Sequence, residues 1–150
     1  MLIRICLAAL ALLAGASALA RPSAWGRNTA AALLPVDEAF QLLPAERRGA
    51  TLHVEWNIAP GYYLYRERLG VEVIGPASAR LGKVKLPHGE KHHDEHFGDV
   101  EIYRGIVGAD YALSGKLRAP LRLRINYQGC ADLGVCYPPQ VREIEAEVAR

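Results

Sequence analysis

The sequence predicts an all-β sandwich, and three observations carry that prediction. Short segments alternate apolar and polar residues with a period of two. Glycine- and proline-containing turns separate them. No stretch sustains the 3.6-residue period of an amphipathic helix, and there is no internal repeat or low-complexity tract. Val36-Asp37-Glu38-Ala39-Phe40 forms at most a short helical turn, with Asp37 as its N-cap. Thr51 to Ile58 is a half-buried strand: Leu52, Val54, Trp56 and Ile58 share one face, and His53, Glu55 and Asn57 the other. Ala59-Pro60-Gly61 turns the chain, and the aromatic, strand-prone Tyr62-Tyr63-Leu64-Tyr65 follows. Leu69, Val71 and Val73 mark a strand closed by Gly75-Pro76. Leu81 to Leu86 alternates before Pro87-His88-Gly89. A polar stretch, Glu90 to Gly98, interrupts. Val100, Ile102, Ile106 and Val107 resume strand character, and Tyr111-Ala112-Leu113 is a short separate segment. Leu121, Leu123, Ile125 and Tyr127 alternate with Arg122, Arg124 and Asn126 as the clearest strand. Val141, Ile144 and Val148 end the series. About seven or eight short strands with turns between them are the pattern of a sandwich.

Residues 1–20 stand apart. Arg4 supplies a positive start, Ile5 to Leu13 an apolar run, and Ala18-Leu19-Ala20 a small-x-small cleavage pattern, with Arg21-Pro22 ending the run. The run falls short of the roughly 20 apolar residues that span a bilayer. These features read as a secretory signal peptide. A lipid-anchored reading on Cys6 fails, because Arg4 leaves no apolar run before it. Residues 21–35 are expected to be a flexible leader, and 36–150 the domain. Cleavage leaves about 130 residues, enough to bury one core without staples. The chain has a net charge of +2, and losing Arg4 lowers it to +1. Such a balance gives no electrostatic case for nucleic acid. No later stretch is long and apolar enough to cross a membrane.

Export changes what the cysteines mean. Cys6 leaves with the signal, and Cys130 and Cys136 remain as a pair in an oxidising compartment. Gly134 lets the loop between them turn tightly, and Pro138-Pro139 stiffens its exit. Two readings stay open on spacing alone. As a staple, a bridge over so short a loop contributes about 2 to 2.5 kcal/mol in the chain-entropy model. As a redox pair on a loop at one end of a sandwich, it exchanges with a partner's thiolate through a mixed disulfide.

Four motifs occur in series: Gly61-Tyr62-Tyr63-Leu64-Tyr65-Arg66, Asp94-Glu95-His96-Phe97-Gly98, Glu101-Ile102-Tyr103-Arg104, and Tyr127-Gln128-Gly129-Cys130 through Cys136-Tyr137-Pro138-Pro139. Together they resemble the periplasmic N-terminal domain of the thiol:disulfide interchange protein DsbD, over about residues 36–148. The resemblance implies an immunoglobulin-like β-sandwich without a cofactor. It implies a relay that takes electrons from a thioredoxin-like domain or membrane reductase. The recipients it implies are periplasmic disulfide isomerases and cytochrome c maturation proteins. Cys136 matches the cysteine that forms mixed disulfides, and Cys130 its resolving partner. Asp94, Glu95, His96, Phe97 and Gly98 match a cap loop over the site. Tyr62, Tyr63 and Tyr65 match a site-lining segment. If the cap packs as in the family, Asp94 and Glu95 disfavour thiolate and raise the thiol pKa.

The chain departs from the family twice. The family places an aromatic residue over the disulfide at the position of His96; here Phe97 follows it, and either ring is a candidate shield. A histidine titrates near physiological pH, so shielding by His96 would be pH-sensitive. Full-length relatives continue into membrane and thioredoxin-like domains, whereas this sequence stops at Arg150. It is expected to be a stand-alone or truncated form, and a monomer.

A rival reading takes His88, His92, His93 and His96 with Asp94 and Glu95 as a copper or zinc site, although the spacing fits no standard one. A second rival is a non-catalytic sandwich with a structural disulfide. Trp56 is expected in the core. Arg122 and Arg124 are expected on a solvated face, and Tyr103 is expected either in the core or supporting the cap. No P-loop, G-x-S-x-G or H-E-x-x-H motif supports nucleotide or hydrolase chemistry.

Overall fold

The computed structural model describes residues 33–115 and 120–148. The expected signal peptide, residues 1–20, and most of the expected leader lie outside the described residues. In chain order the elements are a short helix α1 (Val36–Ala39), β1 (Phe40–Leu42), β2 (Glu46–Arg48), β3 (Thr51–Ile58) and β4 (Tyr62–Tyr65). A 3-10 turn (Arg66–Arg68) leads to β5 (Gly70–Gly75), β6 (Ala79–Lys85), β7 (Glu90–Asp94), β8 (Gly98–Tyr103) and β9 (Ile106–Gly115). The chain ends in β10 (Leu121–Tyr127), β11 (Gly129–Ala131), β12 (Val135–Cys136) and β13 (Gln140–Val148).

The strands form two sheets. The larger runs β5-β10-β13-β2-β3-β9-β6, with β1 paired to β3. It folds over on itself: Trp56 of β3 and Tyr127 of β10 are separated by two strands along the sheet, yet their rings approach to 6.3 Å. The alternation of β3 and β10 explains the folding. Leu52, Val54 and Trp56 are fully buried, as are Leu123 and Ile125, and each strand turns its apolar face to one shared core. Their outer faces are polar. Arg124 bridges Glu72 and Glu143 across three strands, at 3.3 and 2.9 Å. The smaller sheet, β12-β11-β4-β8-β7, carries the cysteines and the predicted cap.

Several expectations need correction. Pro35, not Asp37, occupies the helix N-cap position, and it has no side chain to cap with. Asp37 instead accepts from Arg142 at 2.6 Å. The polar stretch Glu90 to Gly98 does not interrupt the strands: Glu90–Asp94 is β7, paired antiparallel with β8. Edge-strand pairing satisfies the backbone without an apolar face, so periodicity is silent there. Tyr111-Ala112-Leu113 is continuous with Ile106 in the ten-residue β9. Tyr103 joins the core, and its hydroxyl donates to the Pro87 carbonyl at 2.7 Å.

Candidate functional site

The cysteines are placed by close backbone packing. β11 lies against β4 with Cys130 opposite Tyr63, and β12 folds back so that Cys136 is directly opposite Cys130. The two sulfurs are bonded. Gly129 makes this packing possible: a Cβ there would fall 2.1 Å from the Tyr63 carbonyl oxygen and 2.8 Å from the Phe40 ring. Gly134, at φ +80°, closes the turn between the two cysteines. Cys130 is fully buried, whereas Cys136 is half-buried at the wall of an open cavity.

The pleat of β4 divides its tyrosines. Tyr62 points into the main core, where it packs edge-on to Phe40. Its hydroxyl accepts from the Leu34 amide at 2.8 Å. Tyr63 and Tyr65 point the other way, onto a small cluster that contains Cys130 and Ile102. Their rings meet edge-to-face at 5.4 Å. Tyr65 Oη lies 3.0 Å from Cys130 Sγ and 3.8 Å from Cys136 Sγ. Of the three predicted site-lining tyrosines, the structure thus brings two to the sulfurs and turns Tyr62 away.

Asp94 organises the other side. It is the buried charged residue among those described, 6% exposed. Tyr65 donates to its Oδ2 at 2.5 Å, and Tyr63 more weakly at 3.5 Å. Its Oδ1 accepts the backbone N–H groups of His96 and Phe97 at 2.8 and 3.0 Å. One carboxylate thereby ties the turn between β7 and β8 to the tyrosine beside the disulfide. Burial pushes the Asp94 carboxyl up, but these hydrogen bonds outweigh it and hold the group below the ordinary carboxylate range. Burial, with the bond to Asp94 next, pushes the Tyr65 phenol far above its usual value. Disulfide sulfurs carry no proton, and the tyrosine's single proton is committed to Asp94. A lone pair of Tyr65 Oη therefore faces Cys130 Sγ.

The turn Glu95–Phe97 closes with Gly98 at φ +70°. Glu95 and His96 line a cavity of about 220 Å³, together with His92, Tyr63, Asp132 and Cys136. Phe97 packs elsewhere, edge-to-face on Tyr65 at 5.2 Å and under the Arg68 guanidinium at 4.7 Å. The two rings that sequence could not choose between thus have different neighbours: His96 shares the cavity with Cys136, and Phe97 covers Tyr65. His92, His93 and His96 all border this cavity without forming one ligand set. His93 bonds Asp99 at 2.7 Å, and His92 lies against the Tyr63 ring at 5.0 Å. Among the described residues no three of His, Cys, Asp and Glu are grouped to hold a metal ion.

Sequence reasoning missed two arginines. Arg104 grips both oxygens of Asp132 in the cysteine loop, at 2.8 and 3.0 Å, and lies over the Tyr63 ring at 5.2 Å. It stood in one of the four motifs, but nothing local gave it a partner. Arg68 carries no local signal at all.

Residues 30–147 match the family described as "Thiol:disulfide interchange protein DsbD, N-terminal". The chain is 46% identical over 116 residues to "Thiol:disulfide interchange protein DsbD 1" of Pseudomonas aeruginosa, covering 76% of this chain and 19% of that protein. It is 41% identical over 120 residues to a DsbD of Pectobacterium atrosepticum, covering 80% of this chain and 20% of the relative. The chain therefore spans about a fifth of the length of these curated relatives. Among solved structures it resembles the reduced DsbD N-terminal domain of Neisseria meningitidis, with TM-score 0.69, 30% identity, and coverage of 77% of this chain and 90% of that one. It also resembles a chain from the complex between the DsbD and PilB N-terminal domains of N. meningitidis, with TM-score 0.65, 32% identity, and coverage of 76% and 87%. The fold is an immunoglobulin-like β-sandwich.

Proposed function

The chain belongs to the family of DsbD N-terminal domains, and from that premise we propose that it is a periplasmic thiol-disulfide relay working through Cys130 and Cys136. The observation that carries the proposal is the asymmetry of the bonded pair. Cys130 is sealed under Tyr65, while Cys136 borders an open cavity. An incoming thiolate meets Cys136 first. The reductant is a thioredoxin-like domain, alone or served by a membrane reductase. The recipients are disulfide isomerases and cytochrome c maturation proteins. Residues 1–20 direct export and are then removed.

The chemistry follows from the positions of the sulfurs. A partner thiolate attacks Cys136 Sγ, the Cys130–Cys136 bond breaks, and Cys130 leaves as a thiolate that takes up a proton. The partner's second thiol then attacks the mixed disulfide, and the partner departs oxidised. The domain has gained two electrons and two protons. In the outward half, the Cys136 thiolate attacks a client disulfide. Cys130 then attacks Cys136, which restores the original bond and releases the client reduced.

Tyr65 and Asp94 bias the resting state. With the Tyr65 proton held by Asp94, the tyrosine oxygen is an acceptor for a Cys130 S–H and a poor neighbour for a thiolate. The reduced pair is kept as thiols, which react slowly with accidental oxidants. The turn from Asp94 to Gly98 acts as the cap, with His96 on the Cys136 side and Phe97 over Tyr65. Docking lifts it.

The test is trapping. Changing Cys130 to Ala removes the resolving thiol, and Cys136 is expected to remain disulfide-linked to a thioredoxin-fold protein from a periplasmic extract. A bridge in the unaltered protein that resists every thioredoxin-like dithiol would reduce the pair to a staple.

A further inference from the structure

We propose that Arg68 is a positioning residue that latches the cap shut by holding the ring of Phe97 against Tyr65. The inference rests on reading the Asp94–Gly98 turn as a cap, but its test needs no partner protein. Asp94 fixes the backbone of the turn through the amides of His96 and Phe97. It does not fix the Phe97 side chain, which is 41% exposed. Two groups do. Tyr65 meets the ring edge-to-face at 5.2 Å, and the Arg68 guanidinium lies 4.7 Å from its centroid.

Arg68 is well placed for this work. It ends the 3-10 turn that follows β4, so it leaves the same strand that presents Tyr65 to the sulfurs. The start of that turn is anchored to β8 by Arg66, whose guanidinium bonds Glu101 at 2.5 Å. Among the described residues, the partner of the Arg68 guanidinium is the Phe97 ring rather than a carboxylate. A cation held over an aromatic face is attracted to the ring's quadrupole. The contact spans two separately anchored elements, so lifting the cap has to break it.

Arg68→Met keeps the apolar stem and removes the cation, whereas Arg68→Lys keeps a cation. Amide hydrogen exchange at His96 and Phe97 in the oxidised protein reads cap opening directly. Arg68→Met is expected to speed it about 2- to 5-fold, the range set by an exposed cation–aromatic contact. Arg68→Lys should lie closer to the unaltered protein. Reduction of the disulfide by an uncharged phosphine should rise in parallel. In a Phe97→Leu background the same change at Arg68 should have no further effect. Unaltered exchange in Arg68→Met, or an undiminished effect in the Phe97→Leu background, overturns the latch. An empty trap beside a loosened cap would sink the relay and leave the latch standing. A trapped partner beside an unloosened cap would do the reverse.

Discussion

At the scale of single residues, Asp94 has the most work to do. It is a buried carboxylate with four hydrogen-bond donors around it, two phenols and two backbone amides. Replacing it by Ala strands two buried tyrosine hydroxyls and opens the turn. A loss of about 2 to 3 kcal/mol in urea unfolding is expected, the scale of hydrogen bonds to a charged group. Its pH signature has a definite sign. A carboxyl whose pKa is lowered by folding stabilises fully above its unfolded value, near ~4. That stability is lost as pH falls through the lower folded value. Protection of the His96 and Phe97 amides should therefore be flat from about pH 8 to 5 and should fall only below about pH 4.

At the scale of elements, the β4–β11 contact decides where the sulfurs sit. Gly129 is the position that allows it, because any side chain there overlaps the Tyr63 carbonyl and the Phe40 ring. Gly129→Ala is expected to destabilise by at least about 2 kcal/mol, as overpacking of a tight contact does. It should also displace Cys130 from Tyr65, visible as a faster reaction of the reduced thiols with a small alkylating agent. The cysteine loop is held from the other side by Arg104, which clamps Asp132 and lies over Tyr63. Lysine cannot reproduce a two-pronged, stacked contact. Arg104→Lys should lower stability by only about 1 kcal/mol, because the pair is partly solvated. The amides of the 132–135 turn should lose protection more visibly than the rest of the domain.

At the scale of the whole molecule, the main core is assembled without the bond the fold carries. The core drawn from β3, β9 and β10 includes Trp56, Tyr111, Leu123 and Ile125, and it is continuous without the cysteines. Trp56→Ala should cost about 3 to 5 kcal/mol. Reducing the disulfide should cost about 2 to 2.5 kcal/mol, because the closed loop is short. Urea titrations of the oxidised and reduced protein should both show a cooperative transition, the reduced one at lower midpoint. A reduced protein that unfolds outright would mean that the pair is a staple. A relay has to survive both states, and this ordering of energies permits it.

Much of the architecture was legible because it is local. Strand β3 runs over Thr51–Ile58 and β10 over Leu121–Tyr127, where the alternation put them. The cysteine pair and the series of motifs likewise stand in the chain itself. The polar β7 was not legible, since an edge strand paired on one side needs no apolar face. The division of Tyr62 from Tyr63 and Tyr65 follows from the pleat once β4 is a strand, but which face meets the sulfurs depends on β11 arriving from 65 residues downstream. The inward turn of Asp94, the clamp of Arg104 and the contact of Arg68 with Phe97 are of the same kind. A single chain direction decides which way a side chain points. Only register and packing between distant strands decide what it finds there, and the candidate site is built almost wholly from such encounters.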